Sequence, residues 1–155
     1  MNRQSETFYY KAPHVMEALM KRYYLTDYQA AGIVGNLGRE CAGFTVLHEE
    51  GQPANRGGYG WGQWTGPRRA DFLNFCEQNH LTWQSDEGNL KFLFLELDKE
   101  YYSAIIHVKC TGDAHGAAFA FERYYERAGV VAMKDRWAWA DRALSAYRST
   151  HREGE

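Results

Sequence analysis

Apolar positions recur at helical spacing along most of the chain. Val15, Ala18 and Leu19, with Met20 beside them, mark one face of a first helix over residues 14–24. Thr26-Asp27-Tyr28-Gln29 reads as a capping box, in which the Thr hydroxyl accepts from the Gln amide and the Gln side chain returns the bond. The helix it opens has apolar positions at Ala30, Ile33, Val34, Leu37 and Cys41, and Ala42-Gly43 ends it. Gly32, Gly35 and Gly38 interrupt it at a spacing of three. Each glycine costs about 1 kcal/mol of helix propensity. Their presence predicts close contact with neighbouring backbone, as a central buried helix requires.

Between residues 44 and 62 the helical pattern fails and Gly, Asn and Pro dominate. An irregular loop with a short two-stranded ribbon around 59–63 is expected. Thr65 is placed to cap a helix over 67–79, because Pro67 suits a first turn. Ser85 caps another, whose Leu90, Phe92, Leu93, Phe94, Leu95 and Leu97 nearly saturate its faces and predict an internal position. A short helix over 102–110, one capped by Asp113 over 114–127, and a last one over 132–147 complete the pattern. Residues 1–11 and 149–155 read as polar termini around a single domain at 12–148. No repeat, linker or low-complexity tract divides it, and 155 residues suffice for one real core.

Composition narrows the function classes. Aromatics make up 15% of the chain, so some rings are expected on a surface or in a groove, where they stack on a ligand. The net charge of −2 gives no electrostatic case for nucleic acid or an anionic membrane. Recognition of any anionic polymer would have to be local. No run of about 18 apolar residues predicts a membrane span. The polar start Met1-Asn2-Arg3-Gln4-Ser5-Glu6 lacks the apolar core of an export signal. Either a signal has been removed or the protein leaves its cell by another route, as a virion component or injected effector would.

The three cysteines, Cys41, Cys76 and Cys110, cannot all pair within one chain. Reduced structural roles, a Cys76–Cys110 bridge, and zinc ligation by Cys76, His80, Cys110 and His115 all remain open. The last pairs lack the turn-forming spacing of zinc modules, and apolar helical positions account for both cysteines. No metal site and no cofactor are therefore expected. The histidines form no triad spacing with Ser and Asp, and no glycine loop has the strand-to-helix context of phosphate binding.

The candidate chemistry lies elsewhere. Glu40 ends the apolar second helix, and Gly57-Gly58-Tyr59-Gly60-Trp61-Gly62-Gln63-Trp64-Thr65 follows about twenty residues later. Glycoside cleavage needs a protonated carboxyl beside the leaving oxygen. Apolar surroundings favour a carboxyl's neutral form, and a helix C-terminus disfavours an anion. The plainer reading is a surface Glu paired with Arg39 or another Arg. Gln63 is placed to bond an acetamido group or to orient Glu40. Tyr59, Trp61 and Trp64 offer flat faces to sugar rings, or else pack inward as Trp usually does. Glu49 and Glu50 are candidates for a second carboxylate. A separation of about 5 Å from the acid would suit a nucleophile, and about 6.5–9.5 Å a base that activates water. Tyr125 and Glu126 either line the groove or form an ordinary surface turn. Asn36, one turn before Glu40, is placed to orient it. Arg68 and Arg69 are expected to pair with nearby acids.

Three segments together resemble the phage tail lysozyme family, a branch of the lysozyme-like superfamily with goose-type lysozymes and soluble lytic transglycosylases. They are Ala30-Ala31-Gly32-Ile33-Val34-Gly35-Asn36-Leu37-Gly38-Arg39-Glu40, then Gly58-Tyr59-Gly60-Trp61-Gly62-Gln63-Trp64-Thr65-Gly66-Pro67-Arg68-Arg69, and a weaker Phe121-Glu122-Arg123-Tyr124-Tyr125-Glu126-Arg127-Ala128-Gly129. The resemblance runs over about residues 14–147. Two departures are Cys41, where relatives commonly have Ser, and Gly60-Trp61-Gly62-Gln63, where lytic transglycosylases often read Gly-Leu-Met-Gln.

The resemblance implies a mainly α (α+β) lysozyme-like fold. Its helices surround a central buried helix, with a small β element and a groove between two lobes. It implies a muramidase that cuts the β-1,4 bond between N-acetylmuramic acid and N-acetylglucosamine, with Glu40 as general acid and Glu49 or Glu50 as second carboxylate. Tyr59, Gln63, Trp64, Tyr125 and Glu126 would bind the glycan. The alternatives are a lytic transglycosylase, and a non-catalytic wall-binding or structural tail module. Peptidoglycan strands are the implied partner, with other phage tail or secretion proteins as further ones, and the cell wall or periplasm is the place of action.

Overall fold

The computed structural model describes residues 2–151. Among them are seven α-helices: α1 (Arg3–Tyr23), α2 (Asp27–Glu40), α3 (Gly66–Gln78), α4 (Asp86–Asp98), α5 (Tyr102–Lys109), α6 (Ala114–Phe121) and α7 (Met133–His151). The architecture is mainly helical, as the periodicity predicts. The small β element is slighter than a ribbon. It consists of two isolated antiparallel bridges, His48 with Tyr59 and Tyr59 with Trp64.

Helix α2 lies at the centre, with α1, α6 and α7 packed around it. Its residues are buried without a break from Gln29 to Gly38. The capping box forms as expected: Gln29 N donates to Thr26 Oγ1 at 3.2 Å, and Thr26 N donates to Gln29 Oε1 at 3.1 Å. The three glycines mark where neighbours approach. A Cβ on Gly35 would lie 2.6 Å from the Ala140 backbone nitrogen of α7. One on Gly32 would strike Ala117 and Ala118 of α6, and one on Gly38 would meet the rings of Phe8 and Trp139.

The described parts of both terminal segments are helical, which their polarity does not suggest. The expected polar leader is the first half of α1, capped by Asn2, whose Oδ1 accepts from Ser5 N at 2.9 Å. Phe8 is buried there, stacked on Phe44 and edge-on to Trp139 at centroid distances of 5.6 and 4.7 Å. Two helical turns with so few buried side chains give too sparse an apolar signal to read. At the other end α7 continues to His151, and Arg148 Nε donates to Asp27 Oδ2 at 3.0 Å. The rest of the expected polar tail, 152–155, lies outside the described residues.

Two local expectations also change. Thr65 occupies the cap position of α3 but makes no side-chain cap bond. The helix expected over 114–127 keeps α geometry only to Phe121. It then widens into a π-helical turn, Glu122–Glu126, closed by Arg127 N donating to Glu122 O at 2.7 Å. Arg127 itself is left-handed, with φ 49°. Single π turns inside α-helices occur often at functional sites.

Candidate active site

Glu40 is the last residue of α2 and opens onto a polar cavity of about 490 Å³ between that helix end, the loop before α3, and the π turn. The cavity gathers three carboxylates, Glu40, Glu49 and Glu126, among four guanidiniums, so cation is in slight excess. The apolar setting expected for Glu40 is not what surrounds it. Arg136 of α7 donates from Nη2 to Glu40 Oε1 at 2.8 Å, and the Arg136 side chain is only 1% exposed against 20% for Glu40. Glu40 is thus ion-paired, with an Arg other than Arg39, which pairs with Asp135 at 3.2 Å.

Arg136 is itself locked. Its Nε donates to Val131 O at 2.6 Å and its Nη1 to Asn36 Oδ1 at 3.0 Å. Asn36 is fixed in turn by donating to Gly32 O and Ala118 O. Asn36 therefore bears on Glu40 through Arg136 and not directly. A charge-assisted bond from a buried, fully engaged guanidinium fixes the carboxylate in one orientation.

The glycine-aromatic loop forms the facing wall. Gly60 has φ +77°, and a Cβ there would come within 2.6 Å of Asn89 Oδ1 and the Trp64 ring. That space is needed because Asn89 Oδ1 accepts from Trp61 N at 2.8 Å, tying the loop to α4. Gln63 lines the cavity, but its Nε2 is used by Val46 O and Gly60 O, at 3.2 and 2.9 Å, and not by Glu40. Glu49 reaches the cavity on the loop side, exposed, with Oε1 accepting from Gly58 N at 3.2 Å. Glu50 is exposed and does not line the cavity.

Two expected groove rings lie behind the wall. Tyr59 is 5% exposed, stacked on His48 at 4.1 Å and edge-on to Trp83 at 4.8 Å, with its hydroxyl donating to Ala54 O. Bridging both His48 and Trp64, its backbone sits where the loop crosses itself, and the ring must turn inward. Tyr125 is fully buried and stacks on Phe121. Its hydroxyl accepts from Trp64 Nε1 at 2.9 Å and donates to Glu96 Oε1. Burial, and then the Glu96 carboxylate, raise the Tyr125 phenol well above its ordinary value, so it stays a neutral donor. Trp64 is also buried, at 1% exposure, although it borders the cavity.

Glu96 completes this support by accepting both Nε and Nη2 of Arg68, at 2.9 and 2.8 Å. Arg68 thus pairs with an acid as expected. Arg69 instead donates to Gly57 O at 3.1 Å. The Arg68 guanidinium lies over the Tyr101 and Tyr125 rings and borders the cavity.

Glu126 ends the π turn and lines the same cavity. The residue as a whole is half-buried, yet Oε1 is sealed from solvent and has no hydrogen-bond partner among the described residues. Burial first, and then the neighbouring Glu40 carboxylate, push the Glu126 carboxyl well above its ordinary value of 4.5, against the pull of Arg136 and Arg68.

The sequence matches the phage tail lysozyme family over residues 11–147. The chain belongs to that family. A comparison with curated protein sequences finds no match. The three segments that carry the resemblance to phage tail lysozymes are the three walls of the cavity: the end of α2, the glycine-aromatic loop, and the π turn.

Within this phage tail lysozyme frame, Arg136 is a site residue that the motifs do not single out. A signal for it is nevertheless present in the sequence. Arg136 falls in register with Ala140 and Ala143 on the buried face of α7, where a lone charge demands a partner. The cysteines are all free, with Cys41 and Cys76 buried and Cys110 exposed. Cys41 donates its thiol to Leu37 O at 3.1 Å, and burial pushes that thiol far up in pKa. Among the described residues no three or more His, Cys, Asp or Glu side chains converge as metal ligands. A second cavity of about 440 Å³, between α1 and α7, is mainly apolar. Its one carboxylate, Asp141, is paired with His115.

Proposed function

We propose that this protein cleaves the glycan strands of peptidoglycan at the β-1,4 bond between N-acetylmuramic acid and N-acetylglucosamine, with Glu40 delivering the proton to the leaving oxygen. The observation that carries this reading is the fixed position of Glu40. It stands at the end of the buried central helix, oriented by Arg136, and faces the glycine-aromatic loop across an open polar cavity. Membership of the phage tail lysozyme family supports the same chemistry and a setting in a virion or lysis apparatus.

Glu49, exposed on the loop side, activates the attacking water. Gln63 and the 127–130 segment, with Trp64 bordering them, form the walls that receive the sugars. Tyr59 and Tyr125 serve from behind by holding the loop and Trp64 in place. The experiment is mass spectrometry of the products released from purified peptidoglycan. Muropeptides with reducing muramic acid ends are expected. Products lighter by one water would instead mean transglycosylation, and no soluble product would mean a non-catalytic tail module.

A further inference from the structure

A general acid must carry a proton, and Glu40 is ion-paired with the buried Arg136 guanidinium. The cavity holds one carboxyl in the opposite situation. Glu126 Oε1 is sealed from solvent and lacks any hydrogen-bond partner among the described residues, and the residue lines the cavity that Glu40 borders. An unpaired buried carboxylate would be costly, whereas a neutral carboxyl is tolerated.

We propose that Glu126 and Glu40 share one proton, which rests on Glu126 and reaches the glycosidic oxygen through Glu40. Glu126 is then a positioning residue for the proton, not a contact for the sugar. This rests on the muramidase reading above and adds the source of its proton.

The groups that face Glu126 from each packed element fit such a pair. Glu40 of α2 and Glu96 of α4 favour its neutral form, while Arg136 of α7 and Arg68 of α3 oppose it. Arg39, Glu49 and Arg127 border the same cavity. The two cations keep the alternative arrangement, proton on Glu40 and charge on Glu126, within reach. Two carboxyls so coupled titrate as a unit.

In the reaction the proton leaves Glu126 for Glu40 and passes from Glu40 to the bridging oxygen. The bond between that oxygen and the anomeric carbon breaks, with its electron pair going to the oxygen. The oxygen of a water molecule bonds to the anomeric carbon, Glu49 takes the proton it sheds, and exchange of that proton with solvent lets a proton return to the pair.

The test uses the full chain with isotope-labelled glutamate carboxyls, followed by NMR titration. A neutral carboxyl is expected at pH 7, absent from Glu126→Gln. In Glu40→Gln it should titrate at lower pH, because the Glu40 charge is gone. Glu126→Gln keeps the shape and neutrality of the group but has no proton to give. Its rate on peptidoglycan should fall about tenfold or more, and the alkaline limb of its pH–rate profile should move.

A Glu126 ionised at pH 7, or a titration indifferent to Glu40→Gln, overturns the proposal. So does Glu126→Gln with the wild-type rate and profile. If Glu126→Gln does not fold, the titrations of wild type and Glu40→Gln decide alone. A wild type that cuts no peptidoglycan would defeat the muramidase reading, while the same titrations still decide separately whether the two carboxyls share a proton.

Discussion

Arg136 Nη2 and Glu40 Oε1 lie 2.8 Å apart, and the guanidinium is the buried partner of the two. The cation thus belongs to the core and the carboxylate to the cavity. Removing one side of such a pair leaves charge uncompensated, which costs about 3–5 kcal/mol when both are fully buried. Glu40 is partly exposed, so Arg136→Ala should cost about 3 kcal/mol, seen as a lower denaturant midpoint. Arg136→Lys should stay folded but lose activity, because one ammonium cannot serve Asn36, Val131 and Glu40 together. Wild-type activity in Arg136→Lys would show that the orientation of Glu40 does not depend on this clamp.

Tyr59 tests where the loop ends and the groove begins. With its ring packed between His48 and Trp83, Tyr59→Ala should destabilise the fold by about 3 kcal/mol or more. Tyr59→Phe should cost only about 1 kcal/mol, the hydrogen bond to Ala54 O. A Tyr59→Ala protein of unchanged stability with weakened glycan binding would return the ring to the groove.

Gly35→Ala tests the centre of the fold. The added Cβ meets backbone of α7 at 2.6 Å, and backbone cannot swing aside as a side chain can. Overpacking of about 1–3 kcal/mol is expected, against the gain in helix propensity that the same change gives at an exposed position. A rise in melting temperature would mean that α2 and α7 are less closely packed.

These sites also show what the sequence makes legible. Helix order, the capping box, the role of the three glycines and the placement of Glu40 all follow from periodicity and local chemistry, which the chain carries in short windows. The direction in which a ring points does not. Tyr59 and Tyr125 sit in segments of the expected motifs, yet both turn inward, Tyr59 against Trp83 and Tyr125 against Trp64 and Glu96, partners far along the chain. Arg136 lies 96 residues from its partner Glu40. Only packing brings them together, although the misplaced charge on the apolar face of α7 signals that something must. Glu126 falls within the third motif, but what raises its carboxyl's pKa is burial and the neighbouring Glu40 charge, which no spacing reveals.

The raised titration of Glu126 makes a stability prediction. The folded state holds this proton more tightly than the unfolded chain. The resulting stability is fully present below the ordinary carboxyl value of 4.5 and is lost as pH rises through the folded value. Glu126→Gln lacks that loss. The variant should therefore match the wild type near pH 4 and be increasingly more stable than it as pH rises towards neutral, when melting temperature is followed against pH. Parallel curves would mean that Glu126 titrates alike in both states.

The proposed function stands or falls with Glu40, and its sharpest test is the rate at which Glu40→Gln releases muropeptides from purified peptidoglycan beside the wild type. The substitution preserves shape and can still accept from Arg136, but it leaves that buried cation without its anion, so the protein should stay folded with a lowered melting temperature. General acid catalysis supplies about 10²–10⁴-fold, and a loss of that size is expected. A folded Glu40→Gln protein that turns over at the wild-type rate would remove Glu40 from the chemistry.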